Sequence, residues 1–280
     1  MFQKKSYRFC KNENFKKKNI IKQCFFEFFG TGLIIFFGIG CLAASKLTNI
    51  NFNPFETSCI WGLAVSISIY FSSSISGAHL NPAVTIFLWL SSNFNKSKVL
   101  PYIISQIFGS FFFTILIYFL YYDVLIEFEK KHNIIRGTQE SLNLASIFCV
   151  YPNYQNSFVY DLIIEIFSTA LFMIILLEFN NKKNNFFLYH SSIVPILIGA
   201  LVCMINLVIT PLNNISLNPA RDLGPKIFLS ITGWGFFSFT GGNKNFLYCL
   251  IPLIGPILGA NLGGWIHKKI LVKNFFDKNK

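Results

Sequence analysis

Four stretches of this chain carry no Asp, Glu, Lys or Arg: residues 57–95, 99–122, 184–220 and 245–267, which are 39, 24, 37 and 23 residues long. A bilayer core about 30 Å thick is crossed by about 20 helical residues rising 1.5 Å each. The runs of 24 and 23 residues are therefore single spans. At 39 and 37 residues the other two are too long, and each must hold one spanning helix plus a segment that enters the membrane without crossing it. Both contain the triplet Asn-Pro-Ala. Residues 25–45, interrupted by Glu27, and 158–179, interrupted by Asp161 and Glu165, bring the count to six crossings. Only 13% of the chain is charged, against roughly a quarter in soluble domains, and mean hydropathy is +0.51, so its outer face meets lipid. Disorder, a collagen-like repeat and a disulfide scaffold are excluded.

With an even number of crossings and the N-terminus inside, the cytoplasmic segments 1–22, 93–98, 180–192 and 268–280 hold 17 of the 24 Lys and Arg. That bias is the positive-inside signal. Asp123, Glu127, Glu129 and Glu140 lie in the outer loop. The expected organisation is a basic cytoplasmic N-terminus 1–22, a first repeat 23–122, an extracytoplasmic connecting loop 123–157, a second, inverted repeat 158–270 and a cytoplasmic C-terminus 271–280. A net charge of +12 also raises nucleic acid as a partner. Basic termini beside a membrane span are explained by orientation and by anionic lipid, at about 1 kcal/mol per cation near the surface, so no nucleic acid is expected. The run 25–45 is too long for a cleaved signal peptide, and its loss would remove Glu27. The seven Cys show no C-x-x-C spacing and read as packing residues, with no metal, cofactor or disulfide.

Self-similarity locates the mechanism. Glu27-Phe-Phe-Gly-Thr31-Gly-Leu33 resembles Glu165-Ile-Phe-Ser-Thr169-Ala-Leu171, and Leu80-Asn81-Pro82-Ala83 resembles Leu217-Asn218-Pro219-Ala220. Glu27 precedes Asn81 by 54 residues and Glu165 precedes Asn218 by 53. Each half has three crossings, so the second copy is upside down relative to the first, and inverted repeats share a site near the bilayer midplane.

Asn-Pro starts a helix, with Asn as cap and Pro in the first turn where its missing N–H costs nothing. The helices expected over 81–91 and 218–230 are roughly 15 to 20 Å long, about half the hydrocarbon thickness. Before them lie Ser72–His79 and Thr210–Ser216, stretches that resist regular helix. Irregular backbone at this depth survives only where protein or a water-filled cavity satisfies it. Gly77, Ala78, His79, Leu80, Asn214 and Ser216 are thus expected to line a pore. Inversion brings two half-helix N-termini and the Asn81 and Asn218 amides to one spot, which disfavours cations and protons and suits small uncharged polar molecules in single file.

These motifs resemble the aquaporin superfamily and, within it, the bacterial glycerol facilitators (aquaglyceroporins), over roughly residues 20–270. The resemblance rests on Ser76–Thr85, Leu217–Lys226, Ile60-Trp61-Gly62 and Tyr151-Pro152-Asn153. It implies an all-α membrane protein with six transmembrane helices and two re-entrant half-helices. It also implies a homotetramer in the cell (inner) membrane and passive passage of glycerol and related small neutral solutes. By the resemblance, Arg221 and Trp61 form the narrow filter, and Asp222 marks the glycerol-conducting branch. Two positions depart from the pattern. Where the family's glycerol channels carry a second aromatic stands Ile215, and where they carry a glycine stands Asn206. Retained glycerol passage with altered preference is expected.

Each singled-out residue has a plainer reading. Glu27 and Glu165 inside spans cost about 2.5 to 3.5 kcal/mol on insertion scales, so each needs a reason. Either they couple protons, which would make the chain a secondary transporter, or they hold the irregular loops by accepting hydrogen bonds, which their symmetry favours. His79 is either a pH gate or a ring that fixes its loop, and Asp222 pairs with a loop backbone or with a cation. Gly255, Gly259 and Gly263, and Gly199 with Cys203, have the four-residue spacing of close helix contacts. No nucleophile, base and orienting group occur together, so no enzyme is expected.

Overall fold

The computed structural model describes residues 19–92, 94–152, 157–181, 191–242 and 248–269. The basic N-terminus up to residue 18, Asn153, most of the 180–192 connection and the C-terminal segment 271–280 lie outside the described residues.

Short polar side chains start the helices by accepting otherwise unpaired N–H groups. Helix α1 (Ile20–Leu47) begins where Asn19 accepts from the Ile21 N–H at 2.9 Å. Helix α2 (Pro54–Ser72) begins with a reciprocal Asn53–Glu56 capping box and a proline that needs no donor. Helix α3 spans Pro82–Ser92, and α4 (Lys96–Leu120) is capped by Asn95. Then come α5 (Tyr122–Lys131), α6 (Leu142–Ala145) and α7 (Phe158–Phe179), the last capped by Ser157. Helix α8 (Val194–Ile209) leads to α9 (Pro219–Leu229), which runs into a π turn at Ser230–Trp234. Helices α10 (Phe237–Thr240) and α11 (Leu250–Ile266) complete the described elements.

Helices α1, α4 and α7, and the segment Leu250–Lys269 built on α11, are each long and apolar enough to cross a bilayer. Helices α2 and α8 complete six crossings. At 11 residues each, α3 and α9 are about 16 Å long and reach only halfway. Leu63, Ile104, Phe108, Ile163, Phe167 and Leu258 are exposed on the spanning helices, as a lipid-facing surface requires.

The inverted repeat is visible in the packing. Helix α1 pairs with α4 as α7 pairs with α11, and α2 lies on α8. A Cβ added at Gly109 of α4 would sit 2.1 Å from the Phe28 carbonyl oxygen, and one at Gly259 of α11 would sit 2.4 Å from that of Ile166. Phe28 and Ile166 directly follow the two repeat glutamates, so the same backbone contact is made twice. On α2 and α8, Cβ atoms at Gly62 and Gly199 would lie 2.4 and 2.3 Å from each other's carbonyl oxygens. With no hydrophobic drive between helices in lipid, such close approach supplies the packing. Each half-helix also packs on the other half's outer helix. Val84, Phe87 and Leu88 of α3 share a core with Met173, Leu177 and Ala260, while Phe228 and Leu229 of α9 share one with Phe113 and Ile117.

The connecting segment 123–157, read from sequence as a loop, holds helices α5 and α6. Helix α5 has Asp123 in its first turn and Lys130 and Lys131 in its last, the arrangement its dipole favours, and it buries Leu125. Arg136 fastens this segment by pairing with Glu129 at 2.6 Å, donating to the Tyr118 hydroxyl and the Thr232 carbonyl, and stacking over Trp234.

Candidate pore

The two stretches before the half-helices are held by the two repeat glutamates. Glu27 is fully buried, and its carboxylate accepts the His79 N–H at 3.0 Å, the Leu80 N–H at 2.7 Å and the Gln106 amide at 2.8 Å. Glu165, equally buried, accepts the Ser216 N–H at 3.0 Å and the Leu217 N–H at 2.7 Å. Leu80 and Leu217, each immediately before its Asn, sit at φ +52° and +56°, a left-handed conformation that costs a non-glycine residue on the order of 1–3 kcal/mol. The glutamate hydrogen bonds hold both residues there.

That conformation aims the two leucine carbonyls across the junction. The Asn81 amide donates to the Leu217 carbonyl at 2.8 Å, and the Asn218 amide donates to the Leu80 carbonyl at 2.8 Å. Each Asn oxygen meanwhile caps its own helix, accepting from Ala83 N at 2.8 Å and from Ala220 N at 3.0 Å. The N-termini of α3 and α9 therefore abut through crossed hydrogen bonds. Each amide has two N–H groups and spends one on this bond, so one stays available to a solute.

A cavity of about 620 Å³ runs beside this junction. Asn81 and Asn218 line it, with Ala78, His79 and Leu80 on one side and Asn214, Ile215, Ser216 and Leu217 on the other. Trp61, Asn206 and Arg221 line the same cavity, which continues to Phe52, Pro54 and Ser146 on the face bearing the α1–α2 connection. Gly77 does not line it. Its φ of +92° makes the turn that delivers the following residues, and it is buried behind them. Pro82, Ala83, Pro219 and Ala220 also lie outside the lining and start their helices from within the packed core.

Arg221 is 8% exposed, lies 4.7 Å over the Trp61 ring and donates to the Phe148 carbonyl at 3.1 Å. Asp222 points away from the cavity, where it accepts the Val150 N–H at 2.7 Å and pairs with Lys226, whose ammonium also reaches the Val150 carbonyl at 2.8 Å. Both alternatives raised for Asp222, a loop backbone and a cation, are thus realised together. Burial pushes the Cys149 thiol, in the connecting segment, up to about 12, so this lining residue adds no charge.

The His79 ring is enclosed. Its Nδ1 lies 3.2 Å from the Thr85 hydroxyl, and the rings of Phe94 and Tyr102 are 4.5 and 5.1 Å away. Several contributors were not singled out from sequence. Gln106 bridges Glu27 and Thr85, and the Tyr102 hydroxyl donates to the Ser76 carbonyl. Polar residues in an otherwise apolar span were the available signal for Gln106 and Tyr102. The Phe148 carbonyl, a main-chain group, left none.

The sequence model of the family described as Major intrinsic protein matches residues 14–267. The chain is 77% identical over 257 residues to the glycerol uptake facilitator protein of Buchnera aphidicola subsp. Acyrthosiphon pisum (strain APS), covering 92% of this chain and 98% of that one. It is 45% identical over 249 residues to the glycerol uptake facilitator protein of Escherichia coli (strain K12), covering 89% of this chain and 88% of the other. Among solved structures it is similar to the aquaglyceroporin from Plasmodium falciparum, with a TM-score of 0.73 and 26% identity over 90% of this chain and 97% of that chain. Duplicated half-helices joined through crossed asparagine bonds, together with a family match over most of the length, identify the chain as a member of the major intrinsic protein family, the aquaporins.

Proposed function

We propose that the chain is a passive membrane channel for glycerol and related small uncharged solutes, water and urea among them, and that it excludes ions and protons. The observation that carries this reading is the pair of crossed Asn–carbonyl bonds beside the cavity. Two positive helix ends and two amide donors face a solute there, while the carbonyls of the flanking stretches accept from it. A hydroxyl satisfies both kinds of partner. A bare cation meets two dipoles of its own sign. The relatives, named glycerol uptake facilitators, agree with glycerol as the solute.

In this reading Trp61, Asn206, Ile215 and Arg221 form the filter. Arg221 offers donors and a fixed charge while Trp61 faces the alkyl backbone of a polyol. Glu27, Glu165 and Asp222 support the loops. Both glutamates already receive backbone N–H bonds, which supports a holding role over proton coupling. The chain sits in the cell membrane with both termini cytoplasmic, as the distribution of Lys and Arg favours, and assembles as a homotetramer with one pore per protomer. Stopped-flow swelling of proteoliposomes in glycerol, urea and larger polyols tests the reading. Swelling faster than in empty vesicles is expected for glycerol, and swelling no faster in any solute would end it.

A further inference from the structure

We infer that Cys59 and Cys203 form a redox-modification site whose reversible oxidation to a disulfide narrows the passage and lowers glycerol flux, an inference that rests on the channel reading given above. The two thiols face each other across the seam between α2 and α8, 3.6 Å apart and each half-buried. Neither lines the cavity, but Ser58 beside Cys59 does, and so does Asn206, three residues beyond Cys203. Both cysteines lie toward the ends of α2 and α8 that face the α1–α2 connection. In the reading above that end is extracytoplasmic, where disulfides persist.

The seam explains why a bond there would move the wall. One turn further in, Gly62 and Gly199 already meet so closely that neither has room for a Cβ. A disulfide brings its sulfurs to about 2.05 Å, so the two must close by about 1.5 Å. The glycine contact cannot tighten further. The approach therefore falls on side-chain rotation and on the outer ends of α2 and α8, which pivot about the glycines and carry Ser58 and Asn206 inward.

The oxidant is a peroxide. One sulfur attacks the O–O bond of hydrogen peroxide and becomes a sulfenic acid, and the departing hydroxide takes the thiol proton and leaves as water. The second sulfur then attacks the first, and its proton departs with the sulfenic hydroxyl as another water. Two thiols and one hydrogen peroxide thus give one disulfide and two waters, the sulfurs losing the two electrons that the peroxide gains. A small dithiol reverses the bond by exchange.

The test uses the full chain in proteoliposomes treated with hydrogen peroxide and then with dithiothreitol. Glycerol permeability is measured by stopped-flow light scattering, and the bond is read by mass spectrometry of peptides joining Cys59 to Cys203. Permeability should fall at least threefold on oxidation and return on reduction, while Cys59→Ser and Cys203→Ser hold the reduced wild-type value throughout. A linked wild type as permeable as the reduced one would overturn the proposal without recourse to any variant. So would a wild type that forms no such bond, or serine variants that lose as much as wild type, since the effect would then belong to another thiol such as Cys149 in the lining. A reduced wild type that passes no glycerol would instead bring down the channel reading, and this proposal with it.

Discussion

Replacing Glu165 tests how the second half-helix is positioned. The carboxylate is fully buried and accepts the Ser216 and Leu217 N–H groups, the latter on a residue held at φ +56°. In Glu165→Leu both donors face hydrocarbon, at about 1–3 kcal/mol for each orphaned group, or about 2–6 kcal/mol in all. In Glu165→Gln one acceptor oxygen remains and one position becomes a donor facing a donor, so about 1–3 kcal/mol is lost. The relaxed Leu217 carbonyl then no longer meets the Asn81 amide, and the junction beside the cavity loosens. Thermal stability in detergent, read by fluorescence-detected size exclusion, should rank wild type above Glu165→Gln above Glu165→Leu. Glycerol permeability should fall in the same order and stay indifferent to an imposed proton gradient. A Glu165→Leu variant as stable and as permeable as wild type would refute the reasoning. So would a stable Glu165→Gln variant whose only defect is loss of a proton-driven component of uptake.

Trp61→Ala widens the narrow end and should admit polyols longer than glycerol, whereas Arg221→Ala removes the fixed charge and should raise proton leak at least severalfold; unchanged solute and leak profiles in both would remove these residues from the filter. Gly109→Val and Gly259→Val each press a side chain against a carbonyl at 2.1 and 2.4 Å, so each should destabilise by at least about 1–3 kcal/mol and by similar amounts, measured as shifts in melting temperature. A large difference between the two would contradict the symmetry of the repeat. The Cys59 and Cys203 sulfurs lie 3.6 Å apart on α2 and α8. Mild copper–phenanthroline oxidation should link them within one chain and block alkylation of both, and two freely alkylated thiols after oxidation would show that the helices pack otherwise.

The half-helices were legible because Asn-Pro is a strong local start signal and because a 39-residue uncharged run cannot be one span. Glu27 and Glu165 were legible as loop holders because an isolated carboxylate in a span demands a partner, and their matched distances to Asn81 and Asn218 named it. Less visible was anything carried by the main chain. Nothing in the residue types announces that Asn81 would bond the Leu217 carbonyl, or that Phe148 would offer its carbonyl to Arg221, because every residue has the same carbonyl. Helix α5 was missed for a different reason. Its charges read as loop polarity, yet Asp123 near its start and the lysines near its end complement the helix dipole.

Co-reconstitution of the chain with a trapped pH dye measures, in the same vesicles, the two properties that crossed asparagines beside a narrow cavity should separate. Under an outward glycerol gradient with no ion gradient, glycerol should equilibrate much faster than in empty vesicles and without saturating, while the dye reports no added proton flux when a membrane potential is imposed. Proton entry that rises with the amount of protein, or glycerol movement that requires an ion gradient, would contradict a passive neutral-solute passage at the half-helix junction.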